Sequence, residues 1–313
     1  MKKNLIILIA VFSTSTFATP YAYVPNEGSG TISIIDTSSD TVIGDIATNG
    51  KPRGTAVSPD GQTIYVAEQK SESLLIIDAK TKKITAKINV GDSPEATYVS
   101  NDGSLISVAN EEANTVSIID AKTKKVTTIK LKGKNPEHAV FSPDGKLIFA
   151  SAEDADKVDV IDVRSKKQVS QINVGLRPRG IAFTSDGKKA FVASELVDTL
   201  YVIDVQTLKV SGQIKTGLRA NGVTVHPNNQ TVYVSNGGDA NIAVIDINSL
   251  SVSKLIPVGK RPWNMAITPD GKKLYVAAGK SDAVSVINTE NNELIKNIPV
   301  GKLPWGVSIQ SIK

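Results

Sequence analysis

The residues best able to do chemistry in this 313-residue chain recur at a fixed spacing of 42. Directly after a repeated proline, which Ala220 replaces in one copy, the side chain changes from copy to copy. The seven equivalents are Arg53, Glu95, Glu137, Arg179, Asn221, Trp263 and Trp305. The residue before the proline position is arginine at Arg177, Arg219 and Arg261, and the next position beyond the variable one supplies His138 and Asn264. Unlike side chains at matching places are where a repeat can carry a function.

Binding without catalysis is the first chemistry that this set predicts. Guanidinium groups form paired hydrogen bonds with carboxylate and phosphate, and exposed indole rings stack on bases, sugars or peptide side chains. The expected ligand-binding residues are Arg53, Arg177, Arg179, Arg219, Asn221, Arg261, Trp263, Asn264 and Trp305. The ligand would be a peptide, an anionic saccharide or single-stranded nucleic acid.

Lactone hydrolysis or a lyase reaction is the alternative. Glu95 and Glu137 could act as bases or metal ligands, His138 as an acid and base, and Arg179 as the stabiliser of an oxyanion. Glu137 and His138 are neighbours, so on a regular strand they point to opposite faces. A joint role therefore requires an irregular strand, and binding is the favoured hypothesis.

A purely structural role remains open for the same residues. Arg53, Glu95, Glu137 and Arg179 could form a ring of salt bridges, and a tryptophan could plug a channel. A further possibility is an accessory role in a quinone- or haem-dependent redox system, which no particular residue selects.

Several cofactors are disfavoured by composition. The chain has no cysteine, which excludes disulfides, thiolate ligands and covalently attached haem. One of its two histidines, His226, stands in a turn signal, so we expect neither a transition-metal site nor a cofactor.

The repeat predicts the fold. Within one copy, short apolar and β-branched runs at residues 139–141, 147–151, 157–161 and 167–174 alternate with turns such as Ser142-Pro-Asp-Gly145. Four short strands per copy at this period are typical of a propeller blade. Seven copies predict an all-β, seven-bladed β-propeller of four-stranded antiparallel blades.

The two ends of the chain are expected to share one blade. The first copy begins with a second-strand segment at residues 21–25, and the chain ends with a first-strand segment at residues 305–309. The C-terminal strand should therefore join the N-terminal blade and close the ring. The seven variable positions would then converge on one mouth of a central channel. The loops between second and third strands would add Asn26, Glu68, Asn110, Glu111, Glu153, Glu195 and Asn236.

The first 18 residues have the pattern of a signal peptide. Lys2 and Lys3 precede an apolar run, and small residues end at Ala18. We expect residues 1–18 to be removed, leaving a single propeller domain at 19–313. Export to the periplasm or beyond, no insertion into the membrane and a monomeric state follow as expectations. Loss of Lys2 and Lys3 lowers the formal net charge from +5 to +3, which selects no class of partner.

The repeat resembles a known family. Tyr23-Val24-Pro25-Asn26 and Tyr233-Val234-Ser235-Asn236, with looser copies at Tyr65 and Tyr275, are similar to the YVTN family of β-propeller repeat proteins. The resemblance covers the whole chain after residue 18. It implies the fold, and because the motif consists of turn and core residues it implies little about the ligand.

Overall fold

The computed structural model describes residues 20–311, so the expected signal peptide lies outside the described residues. Within this range seven four-stranded antiparallel sheets surround a central channel. The first strands of successive sheets contact one another around the ring, and β28 (Ser308–Ile309) contacts β4 (Pro52–Val57) where the ring closes. The predicted seven-bladed propeller is confirmed.

Six blades are continuous in sequence. The described part of the chain begins with β1 (Tyr21–Asn26), β2 (Thr31–Asp36) and β3 (Thr41–Ala47). Blade 1 contains β4, β5 (Thr63–Glu68), β6 (Ser73–Asp78) and β7 (Lys83–Asn89). Blade 2 contains β8 (Pro94–Val99), β9 (Leu105–Asn110), β10 (Thr115–Asp120) and β11 (Val126–Lys130). Blade 3 contains β12 (Pro136–Phe141), β13 (Leu147–Ala152), β14 (Lys157–Asp162) and β15 (Lys167–Asn173).

The second half of the ring repeats this order. Blade 4 contains β16 (Pro178–Phe183), β17 (Lys189–Ser194), β18 (Thr199–Asp204) and β19 (Lys209–Lys215). Blade 5 contains β20 (Ala220–Val225), β21 (Thr231–Asn236), β22 (Asn241–Asp246) and β23 (Ser251–Pro257). Blade 6 contains β24 (Pro262–Ile267), β25 (Lys273–Ala278), β26 (Ala283–Asn288) and β27 (Glu293–Pro299). Short 3-10 helices follow four second strands, at Gln69–Ser71, Glu153–Ala155, Glu195–Val197 and Gly279–Ser281.

Blade 7 joins the two ends of the chain, as the sequence predicts. Its strand order is β28-β1-β2-β3, with β28 innermost. The last strand is shorter than expected: only Ser308 and Ile309 form it, while Pro304 makes an isolated bridge to Asn26. Trp305 lies between these two points of attachment, and its amide donates to the Pro25 carbonyl at 2.9 Å.

The turns form for the reasons that the sequence suggests. In blade 3, Ser142 Oγ donates to Asp144 Oδ1 at 2.7 Å and accepts from the Leu147 amide at 3.0 Å. Gly145 takes a φ of 71°, a left-handed conformation that glycine adopts without steric cost. Asp162 accepts the Ser165 amide at 2.7 Å, which closes the turn into the outermost strand.

The hydrophobic core lies in layers between neighbouring blades. Between blades 3 and 4, for example, Phe149 and Val158 pack with Ile181 and Val192. Burial of each large apolar side chain stabilises the fold by about 1.5–3 kcal/mol. The middle strands are therefore almost continuously apolar.

An irregularity at the start of each innermost strand positions the variable residues. In blades 1–6 the pairing register between the innermost strand and the second strand shifts by one residue near the start of the innermost strand. In blade 3 the shift falls between Pro136 and Ala139. The extra residue is a β-bulge, which bends a strand and re-aims its side chains. Glu137 and His138 both lie in this bulge.

Candidate binding site at the channel mouth

The variable positions meet at one end of the channel, where a cavity of about 210 Å³ opens. We call it the mouth cavity. It is lined by Glu27, Arg53, Glu95, Glu111, Glu137, Arg177, Arg179, Trp263, Asn264 and Trp305. Six of the nine residues expected to bind a ligand are thus brought together.

The three remaining residues lie beside the mouth cavity. Arg219 and Arg261 contact Glu195, whereas Asn221 is buried in the wall with 2% of its surface exposed. The Arg219 side chain is 47% exposed and can therefore approach a ligand, whereas Arg261, at 14%, lies deeper and Asn221 is covered.

Four arginines converge on Glu195, whose side chain has no exposed surface. Its carboxylate accepts ion pairs at 2.7–3.4 Å, and the four donors are Arg177, Arg179, Arg219 and Arg261. Burial acts to raise the pKa of Glu195, but the guanidinium groups outweigh it and lower the pKa. We call these four arginines, which start blades 4–6, the arginine sector.

Arg179 also binds a pair of buried carboxyl groups. Its Nη1 atom contacts both Glu137 and Glu153. Burial acts to raise the pKa of Glu137, but Arg179 lowers it to about 2. Burial and the neighbouring Glu137 raise the pKa of Glu153 to about 9. Glu153 therefore holds a proton more readily than an isolated carboxyl group does. The four guanidinium groups of the arginine sector also outnumber the carboxyl groups of Glu137, Glu153 and Glu195 with which they pair.

The opposite side of the mouth cavity is acidic. Arg53 contacts Glu95, Glu27 at 3.3 Å and Glu111 at 3.9 Å. Burial raises the pKa of Glu95 well above its usual range, although Arg53 opposes this. We call Glu27, Glu95 and Glu111 around Arg53 the acidic sector, which belongs to blades 7, 1 and 2.

The salt-bridge interpretation of Arg53, Glu95, Glu137 and Arg179 is correct in part. Arg53 of blade 1 pairs with Glu95 of blade 2, and Arg179 of blade 4 pairs with Glu137 of blade 3. Each pair belongs to its own cluster, which further glutamates complete. The four residues therefore do not form a continuous ring.

Three of these further glutamates, Glu111, Glu153 and Glu195, were expected at the mouth from the sequence, whereas Glu27 was not, because two adjacent repeat positions were combined. One position holds Glu27, Gln69, Glu111, Glu153, Glu195, Gly237 and Gly279, and its glutamates contact the arginines of the mouth. The preceding position holds Asn26, Glu68, Asn110 and Asn236, which are buried and support the loops. Asn110 Nδ2, for example, donates to the Val90 carbonyl at 2.9 Å. Alignment of the seven copies at each position separately would have identified the acidic set.

Trp305 is buried, which corrects the expectation of two exposed tryptophans. Only 8% of its surface is exposed, whereas Trp263 is half-buried. The Trp305 ring extends from blade 7 across the channel and stacks on His138 of blade 3, with ring centroids 6.0 Å apart. Trp305 and Asn264 line the mouth cavity and also a second cavity below it. Trp305 therefore forms part of a partition across the channel.

His138, which stacks on Trp305 in that partition, does not share a cavity with Glu137. Glu137 lines the mouth cavity, and His138 lines the second cavity. Burial lowers the pKa of His138 to about 4, and its Nδ1 lies 2.6 Å from the Tyr98 hydroxyl. The bulge thus does not bring Glu137 and His138 to one site, which removes the geometric basis for their joint catalytic role.

His226 occupies a turn, as expected. Its Nδ1 accepts the Asn228 amide at 3.0 Å, and its Nε2 lies 3.0 Å from the Gly271 carbonyl. Among residues 20–311, no three His, Asp or Glu side chains are grouped so that they could hold a metal ion. The same residues contain no helix long and apolar enough to cross a membrane.

Comparison with known proteins places the chain in a family. Residues 80–298 match the family model described as lactonase, seven-bladed β-propeller. The chain belongs to this family. Residues 17–104 match a second model, described as YNCE-like β-propeller. Both matches agree with the resemblance to β-propeller repeat proteins, while a search of curated proteins found no match.

Solved structures share the fold at low sequence identity. Hydrazine synthase of Kuenenia stuttgartiensis is 24% identical with a TM-score of 0.76, over 82% of this chain and 89% of that chain. A functionally unknown protein from Desulfotomaculum acetoxidans is 18% identical with a TM-score of 0.85, over 94% and 99%. The dihydro-heme d1 dehydrogenase NirN in complex with DHE is 18% identical with a TM-score of 0.72, over 96% and 77%. At these identities the likeness concerns the fold alone.

Proposed function

We propose that this propeller is a binding module whose mouth holds a peptide segment. The segment would combine acidic side chains with leucine or similar apolar side chains. The observation that carries the proposal is the convergence of four arginines on the single carboxylate of Glu195. Glu137 and Glu153 also pair with Arg177 or Arg179. A guanidinium has five donor hydrogens, however, and three carboxyl groups cannot satisfy those of four arginines. The remaining donors are available to a carboxylate from a ligand.

The exposure of the arginines supports this role. The side chains of Arg177 and Arg219 are 39% and 47% exposed, while Arg179 and Arg261 lie deeper and are held by Glu195. The deeper pair fixes Glu195, and the outer pair presents donors to solvent. Such pre-organisation lowers the entropic cost of binding an anion.

Exposed leucines beside the arginine sector favour a peptide. Leu176, Leu196 and Leu218 are 48%, 57% and 54% exposed. Their loops are adjacent, because the Leu196 amide donates to the Leu176 carbonyl at 3.3 Å and the Arg219 amide to Asp198 at 2.7 Å. Apolar side chains among arginines match a segment that combines carboxylates with apolar residues.

The acidic sector argues against nucleic acid. A strand of phosphates crossing the mouth would pass the carboxylates of Glu27 and Glu111, which repel it. A peptide that enters only the arginine sector avoids this repulsion. Trp263, at the edge of the mouth cavity, offers the ring on which a peptide side chain can stack.

An array of immobilised short peptides of varied charge and apolar content tests the proposal, with a single-stranded oligonucleotide and an anionic oligosaccharide alongside. Acidic peptides with apolar residues should be retained, and Arg177→Ala with Arg219→Ala should weaken the binding by at least about tenfold. Lys146→Ala with Lys188→Ala, two exposed residues of the other face, is the matched control. Retention of basic peptides alone, or of the oligonucleotide with the arginine variant unaffected, would contradict the proposal.

Lactone hydrolysis is the second candidate, because the family model that matches the chain is that of lactonases. Glu153, whose pKa is raised, could donate a proton, but Glu137 is a poor base because Arg179 lowers its pKa. Turnover of a panel of lactones that is abolished by Glu153→Gln would favour this candidate over binding alone.

A further inference from the structure

The channel below the partition contains a second cavity of about 480 Å³, with chemistry opposite to that of the mouth. The mouth cavity is lined mainly by ionisable residues, whereas among residues 20–311 no Asp, Glu, Lys or Arg lines the second cavity. The partition made by Trp305, His138 and Asn264 lies between them. We call the second cavity the lower cavity; its lining reaches the turns at Asn101 and Pro143.

The wall of the lower cavity is apolar. It is formed largely by small and aliphatic side chains of the innermost strands, such as Val140, Ala182 and Ala266. The hydroxyl groups of Thr224, Ser308 and Thr55 in the wall are satisfied by the protein itself: Thr224 donates to the Met265 carbonyl at 3.0 Å, and Ser308 bonds to Thr55. Neither arrangement leaves a charge or a strong polar group along the wall.

Polar groups without partners are found at the inner end, beside the partition. The Nε2 atom of His138 and the Oγ1 atom of Thr97 have no hydrogen-bond partner among the described residues, and the two residues are 1% and 2% exposed. Asn264 makes only a long contact of 3.5 Å with the Trp305 carbonyl. Buried polar groups are almost always hydrogen-bonded, so these atoms indicate a place where a ligand can supply a partner.

We propose that the lower cavity is a separate binding site for an uncharged, mostly apolar small molecule with one polar end. The apolar body would lie along the wall, and a carbonyl or hydroxyl group would point to His138, Thr97 and Asn264. An apolar cavity with a few convergent polar groups is the usual form of a small-molecule site. A charged molecule would lose its hydration without gaining a counter-charge.

Trp305 lines both cavities, so its emission reports a ligand in either one, and the variants described below assign the response to the lower cavity. The chain has two tryptophans, so in Trp263→Phe the emission comes from Trp305, which lines the lower cavity. Camphor, a neutral compact ketone, is the probe, and camphorsulfonate is its charged counterpart. We expect a saturable change of emission with camphor, and at least about tenfold weaker binding of camphorsulfonate.

Two cavity-filling variants and one mouth variant complete the test. Ala182→Phe and Ala266→Leu should each abolish the camphor response while retaining the far-ultraviolet circular dichroism of the folded protein, and Arg219→Ala should leave the response unchanged. Two variants are used so that one misfolded protein does not decide the result. No saturable response to camphor, equal affinity for camphorsulfonate, or a response that survives in a folded filling variant would overturn the proposal. Because this site is independent of the arginine sector, its failure would not affect the peptide proposal.

Discussion

Gly279 lies directly beneath the indole ring of Trp263. A Cβ atom built on Gly279 would lie 2.7 Å from Cζ3 of that ring, closer than unbonded atoms can approach. Equivalent positions elsewhere in the repeat hold glutamate, at Glu153 and Glu195 for example. The absence of a side chain at Gly279 therefore makes the space in which Trp263 sits at the mouth.

Gly279→Ala should displace Trp263. The added methyl group meets a rigid ring, so the indole must move towards solvent, and its emission should shift to longer wavelength. Trp305→Phe is the background for the measurement, since Trp263 is then the only emitter. Gly237→Ala is the matched control, because its Cβ would meet the flexible Arg261 side chain at 3.3 Å. An identical spectrum for Gly279→Ala and its parent would contradict this geometry.

Trp305→Ala should destabilise the protein far more than Trp263→Ala. Removal of the buried Trp305 ring opens the partition and leaves a void, at a cost of about 3–5 kcal/mol. Trp263 is half-buried, and its removal should cost less than about 2 kcal/mol. Denaturant unfolding of both variants gives the comparison. Equal losses would show that Trp305 does not pack across the channel.

The stability of the protein should fall in mild acid because of His138. Its pKa is about 4 when folded and about 6.5 when unfolded, so the unfolded state binds the proton more tightly. Stability is therefore lost as the pH falls from about 6.5 to about 4, by up to about 3 kcal/mol. The free energy of unfolding of wild type and His138→Gln, measured across this range, checks the effect.

His138→Gln should remove that contribution to the pH dependence, whereas His226→Gln, the matched control, should retain it. The same acid-induced loss in His138→Gln as in wild type would assign the dependence to other groups.

Arg179→Met should cost about 3–5 kcal/mol, because it leaves Glu137 and Glu195 buried without their central partner. Arg219→Met is the control at the same carboxylate. Its side chain is 47% exposed, and the loss should be within about 1 kcal/mol. Thermal or denaturant unfolding distinguishes the two, and similar small losses would mean that Arg179 is not the structural centre of the cluster.

The fold could be predicted from the sequence because its signals are local and repeated. The turns within each blade depend on local residues, such as Asp144 and Gly145 in blade 3. Seven copies in one register then specify the ring. The short last strand was not predictable in detail, because Trp305 leaves the ladder to cross the channel.

The candidate site was predictable in its location and less so in its contacts. The variable position after the repeated proline brought Arg53, Arg179 and Trp263 to one cavity. That Trp305 is buried depends on His138, which belongs to a blade across the channel. Contacts across the channel join residues far apart in sequence, and no pattern within a single repeat indicates them.

Hydrogen–deuterium exchange of the protein with and without an acidic peptide selected from the array tests the central claim most directly. Our account predicts slower exchange confined to the loops of the arginine sector, at residues 175–177, 195–198 and 217–219, and no such change in Arg177→Ala with Arg219→Ala. Protection of the turns at residues 142–145 and 184–187, on the opposite face, with the mouth loops unchanged, would contradict it.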